Sequence, residues 1–144
     1  MLNISWINEQ IAVGGAFLDE DIPQIKEEDI KAIVDMRSEY CDNAELLKKY
    51  NIDFLNIKVN DRYSPTAKQL KEIFNFIEPF LNKGKKILIH CQNGCGRSPL
   101  VAIVILVKRG MNIQEAVNLI EEKHPWVGFT PQQEEFVYNL SNFL

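Results

Sequence analysis

The stretch that decides the fold is Ile87-Leu88-Ile89-His90-Cys91-Gln92-Asn93-Gly94-Cys95-Gly96-Arg97-Ser98, which a second apolar run follows. It predicts a buried strand, a short loop and a buried helix, in that order. The five residues between Cys91 and Arg97 include two glycines, so successive backbone N–H groups can point inward. They would then form an anion-binding nest at a helix N-terminus, which the planar, permanently charged guanidinium of Arg97 completes.

Cys91 is placed in this loop as a reactive thiol. Inward amides, a helix N-terminus and Arg97 all favour the thiolate over the thiol, and the thiolate is the nucleophilic form. A nucleophile and its phosphate site therefore coincide in the predicted loop. The alternative interpretation is a glycine-rich turn that surrounds a buried, inert cysteine.

The rest of the chain alternates β-branched runs with amphipathic stretches, which predicts an α/β fold. We expect one compact domain over residues 1–144, in which helices flank a central, mostly parallel sheet and the Cys-x5-Arg loop joins the last strand to a buried helix. Strands are predicted at 4–7, 11–13, 31–36, 53–59 and 86–89. Helices are predicted at 19–28, 44–50, 98–109 and 112–123, from Ser64-Pro65 through Leu81, and from Thr130-Pro131 onward. Asn112 with Glu115 resembles a capping box at the start of the helix 112–123, which His124-Pro125 ends.

Composition excludes several classes of protein. The chain has 144 residues, is 46% hydrophobic and carries a net charge of −4, so a broad basic face for nucleic acid or for anionic membrane is not indicated. Three cysteines without a CxxC pair make neither a disulfide framework nor a zinc site. The acidic runs 19–21 and 27–29 lack metal-ligand spacing and are expected on solvated helix faces. The longest apolar run, 99–107, is too short for a membrane span, and residues 1–6 do not resemble a signal peptide. We therefore expect a soluble, cytoplasmic monomer that binds no metal.

The pattern His90-Cys91-x-x-Gly94-x-x-Arg97-Ser98 resembles the signature loop of the cysteine-dependent protein phosphatases, and specifically of their small dual-specificity branch. The resemblance extends over residues 4–136. It implies a phosphomonoesterase without a cofactor, in which Cys91 attacks phosphorus to form a phosphocysteine. Arg97 and the loop amides would hold the phosphate oxygens; the loop residues concerned are Gln92, Asn93, Gly94, Cys95 and Gly96.

The resemblance implies catalytic roles for three further residues. Asp61 lies on the polar loop 60–63, where the family carries the general acid that protonates the leaving oxygen and later activates water. The alternative for Asp61 is an ordinary turn residue. Ser98 is expected both to cap the following helix and to help break the phosphocysteine. Gln133 either positions the hydrolytic water or completes a capping box with Thr130.

The substrate class is expected to be phosphorylated protein. A short chain without recognition insertions implies a shallow site, which would admit phosphoserine and phosphothreonine as well as phosphotyrosine. Phosphoinositides are disfavoured because the loop has no lysine beside its arginine. An RNA 5′-triphosphatase that depends little on Asp61, a phosphopeptide-binding module and a rhodanese-like sulfur transferase remain alternatives.

Some secondary expectations concern individual residues. Cys95, four positions after Cys91, is a candidate partner for a reversible disulfide, although it is otherwise an ordinary small loop residue. Arg37 at the end of a strand could lie near a phosphate, but a structural salt bridge or a loop cap is expected for Asp35 and Arg37. Trp126 is expected in the core.

Overall fold

The computed structural model describes residues 2–142 and contains one five-stranded sheet in the order β1-β2-β5-β3-β4. The strands are β1 Ile4–Trp6, β2 Ile11–Gly14, β3 Ile30–Arg37, β4 Asp53–Val59 and β5 Lys86–His90. β1 pairs with β2 antiparallel, and β2, β5, β3 and β4 pair parallel. This confirms the predicted α/β class with a mostly parallel sheet. The predicted domain bounds also include Met1, Phe143 and Leu144, which lie outside the described residues.

Six α-helices cover the sheet in the described part of the chain. They are α1 Ile22–Glu27, α2 Ala44–Lys49, α3 Ala67–Asn82, α4 Arg97–Lys108, α5 Ile113–Lys123 and α6 Pro131–Tyr138. Short 3₁₀ turns at Asp19–Asp21 and Leu140–Asn142 precede α1 and follow α6. Within residues 2–142, no helix combines the length and apolar character that a membrane crossing needs.

The two faces of the sheet bury two separate clusters of side chains. Val13, Val34 and Ile89 share one cluster with α3, α4 and α5, whereas Ala12, Ile33 and Leu88 face α1 and α2. This division follows from the strand period of two, which sends neighbouring residues to opposite faces. Residues 97–106 of α4 are all buried, as its apolar sequence predicts, and α4 packs on β2, β5, α5 and α6. The helix that follows Cys91 is therefore held on several sides.

Helix starts were the least accurate part of the sequence analysis. Ser64-Pro65 does not begin α3; Thr66 caps it, because its hydroxyl accepts from Gln69 N at 3.1 Å and the Gln69 side chain accepts from Thr66 N at 3.0 Å. The predicted caps at Asn112 and Thr130 are confirmed, since each side chain accepts from the backbone N–H three residues on.

Two burial predictions were also wrong. Trp126 is 43% exposed rather than in the core, because it packs its ring on His124 at the surface, with 4.0 Å between ring centroids. Asp21, expected on a solvated face, is buried and accepts a hydrogen bond from Leu18 N at 2.8 Å. It closes the 3₁₀ turn that precedes α1.

Candidate active site

Cys91 lies where the carboxyl ends of the parallel strands meet, the edge at which open α/β sheets bind ligands. It follows β5 directly and is 2% exposed. Its amide donates to Gly14 O at the end of β2, at 3.1 Å, and its Sγ lies 3.3 Å from Ser98 Oγ in the first turn of α4. One thiol is thus positioned by two neighbouring strands and a helix.

The loop 91–96 turns its carbonyl groups outward. Each carbonyl has a hydrogen-bond donor: five of the six donors lie outside residues 91–96, and the sixth is the thiol of Cys95. The pairs are Cys91 O with His90 Nδ1 (3.1 Å), Gln92 O with Ala16 N (2.9 Å), Asn93 O with Cys95 Sγ (3.7 Å), Gly94 O with His124 Nε2, Cys95 O with Gly128 N (2.8 Å) and Gly96 O with Leu100 N (3.0 Å).

Outward carbonyls determine where the amides point. In a trans peptide the N–H of the next residue is opposed to the carbonyl, and none of the described peptides is cis. The amides of residues 92–97 therefore point to the inside of the loop, and none of them donates to an acceptor among residues 2–142. Six free N–H groups that face one space have the arrangement of the anion nest that the sequence predicts.

Gly94 is required by this geometry. It has φ of +73°, and a Cβ there would lie 2.8 Å from Gly14 C and Gly15 N. Both the left-handed backbone and the close approach of the β2 turn therefore exclude a side chain.

Arg97 is 1% exposed, and it bonds to protein groups through its two terminal guanidinium nitrogens. Its Nη1 and Nη2 each donate to one oxygen of Glu39 at 2.7 Å, and Nη1 also donates to Val59 O at 2.8 Å. Its buried Nε has no partner in the described part of the chain. Because an unpaired buried donor is costly, this N–H marks the direction from which a ligand oxygen would bind.

Glu39, two residues after the end of β3, was missed by the sequence analysis. The hydrogen bonds from Arg97 lower the pKa of Glu39 from 4.5 to about 2. Its carboxylate neutralises the guanidinium and fixes its plane, and a bidentate pair of this kind is more directional than a single contact. The only signal in the sequence was an acid close to the carboxyl end of a buried strand.

Asp61 lies on the loop between β4 and α3, close to the arginine. Its Oδ1 is 3.7 Å from Arg97 Nη2, and its side chain is 65% exposed. The loop is tied to the start of α6, because Arg62 O accepts from Thr130 Oγ1 at 2.8 Å and Tyr63 O from Gln133 Nε2 at 3.1 Å. The arrangement leaves the Asp61 carboxyl at the mouth of the nest.

Ser98 does not cap α4, contrary to the sequence analysis. Gly96 is the N-cap and the helix begins at Arg97, because the curl of the loop continues directly into the first turn. The buried Ser98 hydroxyl lies 3.1 Å from Gly14 O, to which it donates, and 3.3 Å from Cys91 Sγ. Ser98 is therefore a first-turn residue of α4 that contacts the nucleophile, rather than a helix cap.

Gln133 is buried and is engaged by its own helix. Its Oε1 accepts from Thr130 N at 3.1 Å, which confirms the predicted capping box, and its Nε2 bonds Tyr63 O. It also lies against the nest, since a Cβ on Gly96 would come within 2.8 Å of Oε1. Positioning of water by Gln133 stays a prediction.

A buried polar network supports the loop from the β3 side. Arg37 donates to Asp35 through Nε at 2.9 Å, to Asp42 at 3.1 Å and to Gln92 Oε1 at 2.9 Å, which confirms the Asp35–Arg37 ion pair. His90 Nε2 contacts Asp42 Oδ2. Burial raises the pKa of Asp42, although its bond to His90 opposes this. Asp35, Asp42 and His90 bring their ligand-type atoms within 4.8 Å, and Arg37 supplies positive charge to that cluster.

The three cysteines are free thiols. Cys95 is half-buried and directs its thiol towards Asn93 O rather than towards a second sulfur. A disulfide between Cys95 and Cys91 stays a prediction.

Comparison with known proteins supports this geometry. Residues 15–143 match the family model described as the dual specificity phosphatase, catalytic domain. The chain belongs to this family. It is thereby a member of the cysteine-based protein tyrosine phosphatase superfamily, in its small dual-specificity branch, as the signature loop indicates.

Individual relatives are more distant. This chain is 28% identical over 125 residues to phosphatidylglycerophosphate phosphatase PTPMT1 of Arabidopsis thaliana. It is also 28% identical over 124 residues to tyrosine-protein phosphatase vhp-1 of Caenorhabditis elegans. These alignments cover 84% and 85% of this chain but only 37% and 19% of those proteins. The crystal structure of Tk-PTP in the active form superposes with a TM-score of 0.87 at 26% identity, over 99% of this chain and 98% of that one.

Proposed function

We propose that this phosphatase-family chain hydrolyses phosphotyrosine, and also phosphoserine and phosphothreonine, in proteins through a phosphocysteine intermediate. The observation that carries the proposal is the ring of outward-paired carbonyls around Cys91, which leaves the amides of 92–97 free to bind an oxyanion. Polar groups inside a protein are normally hydrogen-bonded, so six free amides and a buried, unpaired arginine Nε are not expected in a loop with a purely structural role. A tetrahedral phosphoryl group satisfies them.

In the first step, the Cys91 thiolate attacks phosphorus in line with the leaving oxygen. The P–O bond breaks, and Asp61 gives its proton to the departing alkoxide or phenoxide. The nest amides and the Nε of Arg97 stabilise the charge on the equatorial oxygens, because they are oriented before the reaction begins. The bond that forms is P–S, and the dephosphorylated side chain leaves.

In the second step, water attacks phosphorus and the P–S bond breaks. Asp61, now a carboxylate, takes the proton of that water, with Gln133 as the residue that positions it. The Ser98 hydroxyl, 3.3 Å from Sγ, stabilises the thiolate that is released when its one proton turns from Gly14 O to Sγ. Inorganic phosphate then leaves, and no cofactor takes part.

The shape of the mouth favours broad specificity. Asp61 and Tyr63, on the loop beside the nest, are both exposed, with Tyr63 57% accessible, so neither of these side chains encloses the site as a wall that would select the long phosphotyrosine ring. We therefore expect phosphothreonine and phosphoserine peptides to reach Cys91. We also propose that residues 1–144 act as one monomeric catalytic domain in the cytoplasm, in keeping with three free thiols.

The testing experiment measures hydrolysis of p-nitrophenyl phosphate and of matched phosphotyrosine and phosphothreonine peptides in EDTA. Wild type should turn over all three; Cys91→Ser should abolish turnover, and Asp61→Ala should reduce it by about 100-fold or more. EDTA excludes metal-dependent contaminants. Activity that survives Cys91→Ser would overturn the mechanism, and phosphopeptide binding without turnover would make this chain a binding module.

A lipid phosphomonoester is the informative contrast substrate, because one relative is a phosphatidylglycerophosphate phosphatase. The loop side chains Gln92, Asn93 and Cys95 are uncharged and offer no cation for a second phosphate. We therefore expect phosphopeptides to be preferred over phosphatidylglycerophosphate in the same assay. RNA 5′-triphosphatase activity is separated by Asp61→Asn, which should leave it almost unchanged.

A further inference from the structure

His124 is a buried histidine that the reaction steps above do not use. It lies at the end of α5, fully buried, although the sequence indicated only a helix stop at His124-Pro125. Its Nε2 contacts Gly94 O, and its Nδ1 lies 2.8 Å from Ser5 Oγ in β1. One ring therefore connects the phosphate loop to the edge strand of the sheet.

The hydrogen-bond partners determine the form of the ring. Gly94 O can only accept, so the proton must be on Nε2, and Nδ1 of the neutral ring then accepts from the Ser5 hydroxyl. Burial lowers the pKa of His124, although its bond to Gly94 opposes this, and the neutral ring satisfies both partners. No other group in the described residues donates to Gly94 O.

The hydrogen bond from His124 to Gly94 O lies where it can fix the orientation of a loop peptide. Gly94 is the residue with φ of +73°, at which the loop reverses, and the peptide that joins Gly94 to Cys95 carries one of the inward amides. If the Gly94 carbonyl rotated inward, it would point an oxygen at the bound anion and turn the Cys95 amide away. The bond to His124 opposes that rotation from outside the nest.

We infer that His124 is a positioning residue for oxyanion binding, which holds the Gly94–Cys95 peptide so that its amide faces the phosphoryl group. The inference rests on the proposed function, since it assumes that the nest binds a phosphoryl oxyanion. It assigns His124 no contact with substrate and no proton transfer.

Two amide substitutions separate the two bonds of the ring. The side-chain amide nitrogen of glutamine lies about as far from the backbone as Nε2 of histidine. His124→Gln can therefore still donate a hydrogen bond to Gly94 O. The side-chain amide of asparagine reaches only about as far from the backbone as Nδ1 of histidine. His124→Asn therefore keeps a polar group beside the Ser5 hydroxyl but loses the hydrogen bond to the loop. Ser5→Ala is the matched control, because it removes the other hydrogen bond of the same ring.

The measurements are the Kd for tungstate, a tetrahedral oxyanion, by calorimetry, and KM and kcat for p-nitrophenyl phosphate. Melting temperature is recorded for each variant. We expect His124→Asn to weaken tungstate binding about tenfold and to raise KM by a similar factor, as loss of one oriented hydrogen bond predicts. His124→Gln and Ser5→Ala should stay within about threefold of wild type.

A purely structural His124 would give a different pattern. The melting temperature would fall in both amide variants, whereas the tungstate Kd of the folded protein would be unchanged or would worsen equally in both; either result overturns the inference. Wild type that turns over substrate while His124→Asn binds tungstate normally overturns the inference alone. Wild type that binds no tungstate and hydrolyses no phosphomonoester overturns the proposed function as well.

Discussion

Arg97 and Glu39 show how a single arginine serves two anions. The Nη1 and Nη2 atoms of Arg97 donate hydrogen bonds to Glu39, whereas Nε is free to donate to a ligand. Because Glu39 fixes the plane of the guanidinium, it also determines where Nε points. Loss of Glu39 should therefore affect oxyanion binding although Glu39 itself does not face the nest amides.

The pH dependence of stability reports on this pair. Arg97 lowers the pKa of Glu39 from 4.5 to about 2, so the folded state favours the carboxylate. The contribution to stability is therefore complete above pH 4.5 and is lost as pH falls towards 2. We expect the difference in free energy of unfolding between wild type and Glu39→Gln to be largest at neutral pH and to shrink across that window in urea titrations.

Catalysis by Glu39→Gln should fall about 10- to 100-fold in kcat/KM at neutral pH, because a misoriented guanidinium binds the oxyanion poorly. Glu122→Gln, an exposed substitution on α5, is the control and should match wild type in both measurements. A stability difference between Glu39→Gln and wild type that is the same at pH 7 and pH 2.5 would contradict this account of the pair.

Ser98 offers a second test at the scale of one residue. Its hydroxyl has one proton and two acceptors, Gly14 O at 3.1 Å and Cys91 Sγ at 3.3 Å. Ser98→Ala should slow the step that releases the thiolate more than the step that consumes it. Rapid-mixing assays with p-nitrophenyl phosphate should then show a burst of about one nitrophenol per protein, followed by turnover reduced about 10- to 100-fold. A uniform loss without a burst would mean that Ser98 does not act on the second step.

At the scale of the element, the strand-loop-helix unit depends on one glycine contact. Gly94→Ala would place a Cβ 2.8 Å from the backbone of Gly14 and Gly15, at a φ of +73°. Gly84→Ala is an unusually close control, because Gly84 has φ of +72° and nothing within 4 Å of the added Cβ. We expect Gly84→Ala to lower the free energy of unfolding by about 1 kcal/mol through backbone strain alone.

Gly94→Ala should lower stability by at least about 2 kcal/mol more, and should weaken tungstate binding by more than tenfold, because either β2 or the loop must move. Denaturant unfolding and calorimetry on the two variants measure this. Equal effects of the two substitutions would show that the approach of Gly94 to β2 is not needed for the nest.

Local sequence predicted these elements well where one pattern dominated. The run 86–108 combines β-branched residues, a glycine-containing loop and an apolar helix, and its strand, nest and buried helix are all in place. The starts of α3 and α4 were wrong for a physical reason: Ser-Pro is an adequate start signal, but Thr66 with Gln69 satisfies two amides, and the curled loop itself supplies the start of α4.

At the scale of the whole molecule, the residues that sequence reasoning missed are those joined to the site only by topology. Glu39 and Asp42 follow β3, and His124 ends α5, yet each contacts the segment 90–97. Their spacing along the chain carries no signal, because the order β2-β5-β3 alone makes them neighbours. Cys91, Arg97 and Asp61, which the structure brings together, could be proposed from the sequence because a short motif and a loop position point to them without that topology.

Because contacts from β2, β3, the 60–63 loop and the 124–133 region converge on one loop, oxyanion binding should stabilise the domain as a unit. A ligand that binds only the folded state at 100 times its Kd adds about 2.7 kcal/mol, which corresponds to a rise of about 5–10 °C in the melting temperature of a domain of this size. Calorimetry of wild type with saturating inorganic phosphate should show that rise in a single transition.

Phosphate also stabilises proteins non-specifically by exclusion from their surface. Arg97→Lys measures that background, since lysine retains the charge but lacks the planar Nε donor, and its melting temperature should rise by only a small fraction of the wild-type shift. An equal rise in both proteins would mean that phosphate does not bind at Arg97, and two separate transitions would mean that the site and the sheet do not unfold together.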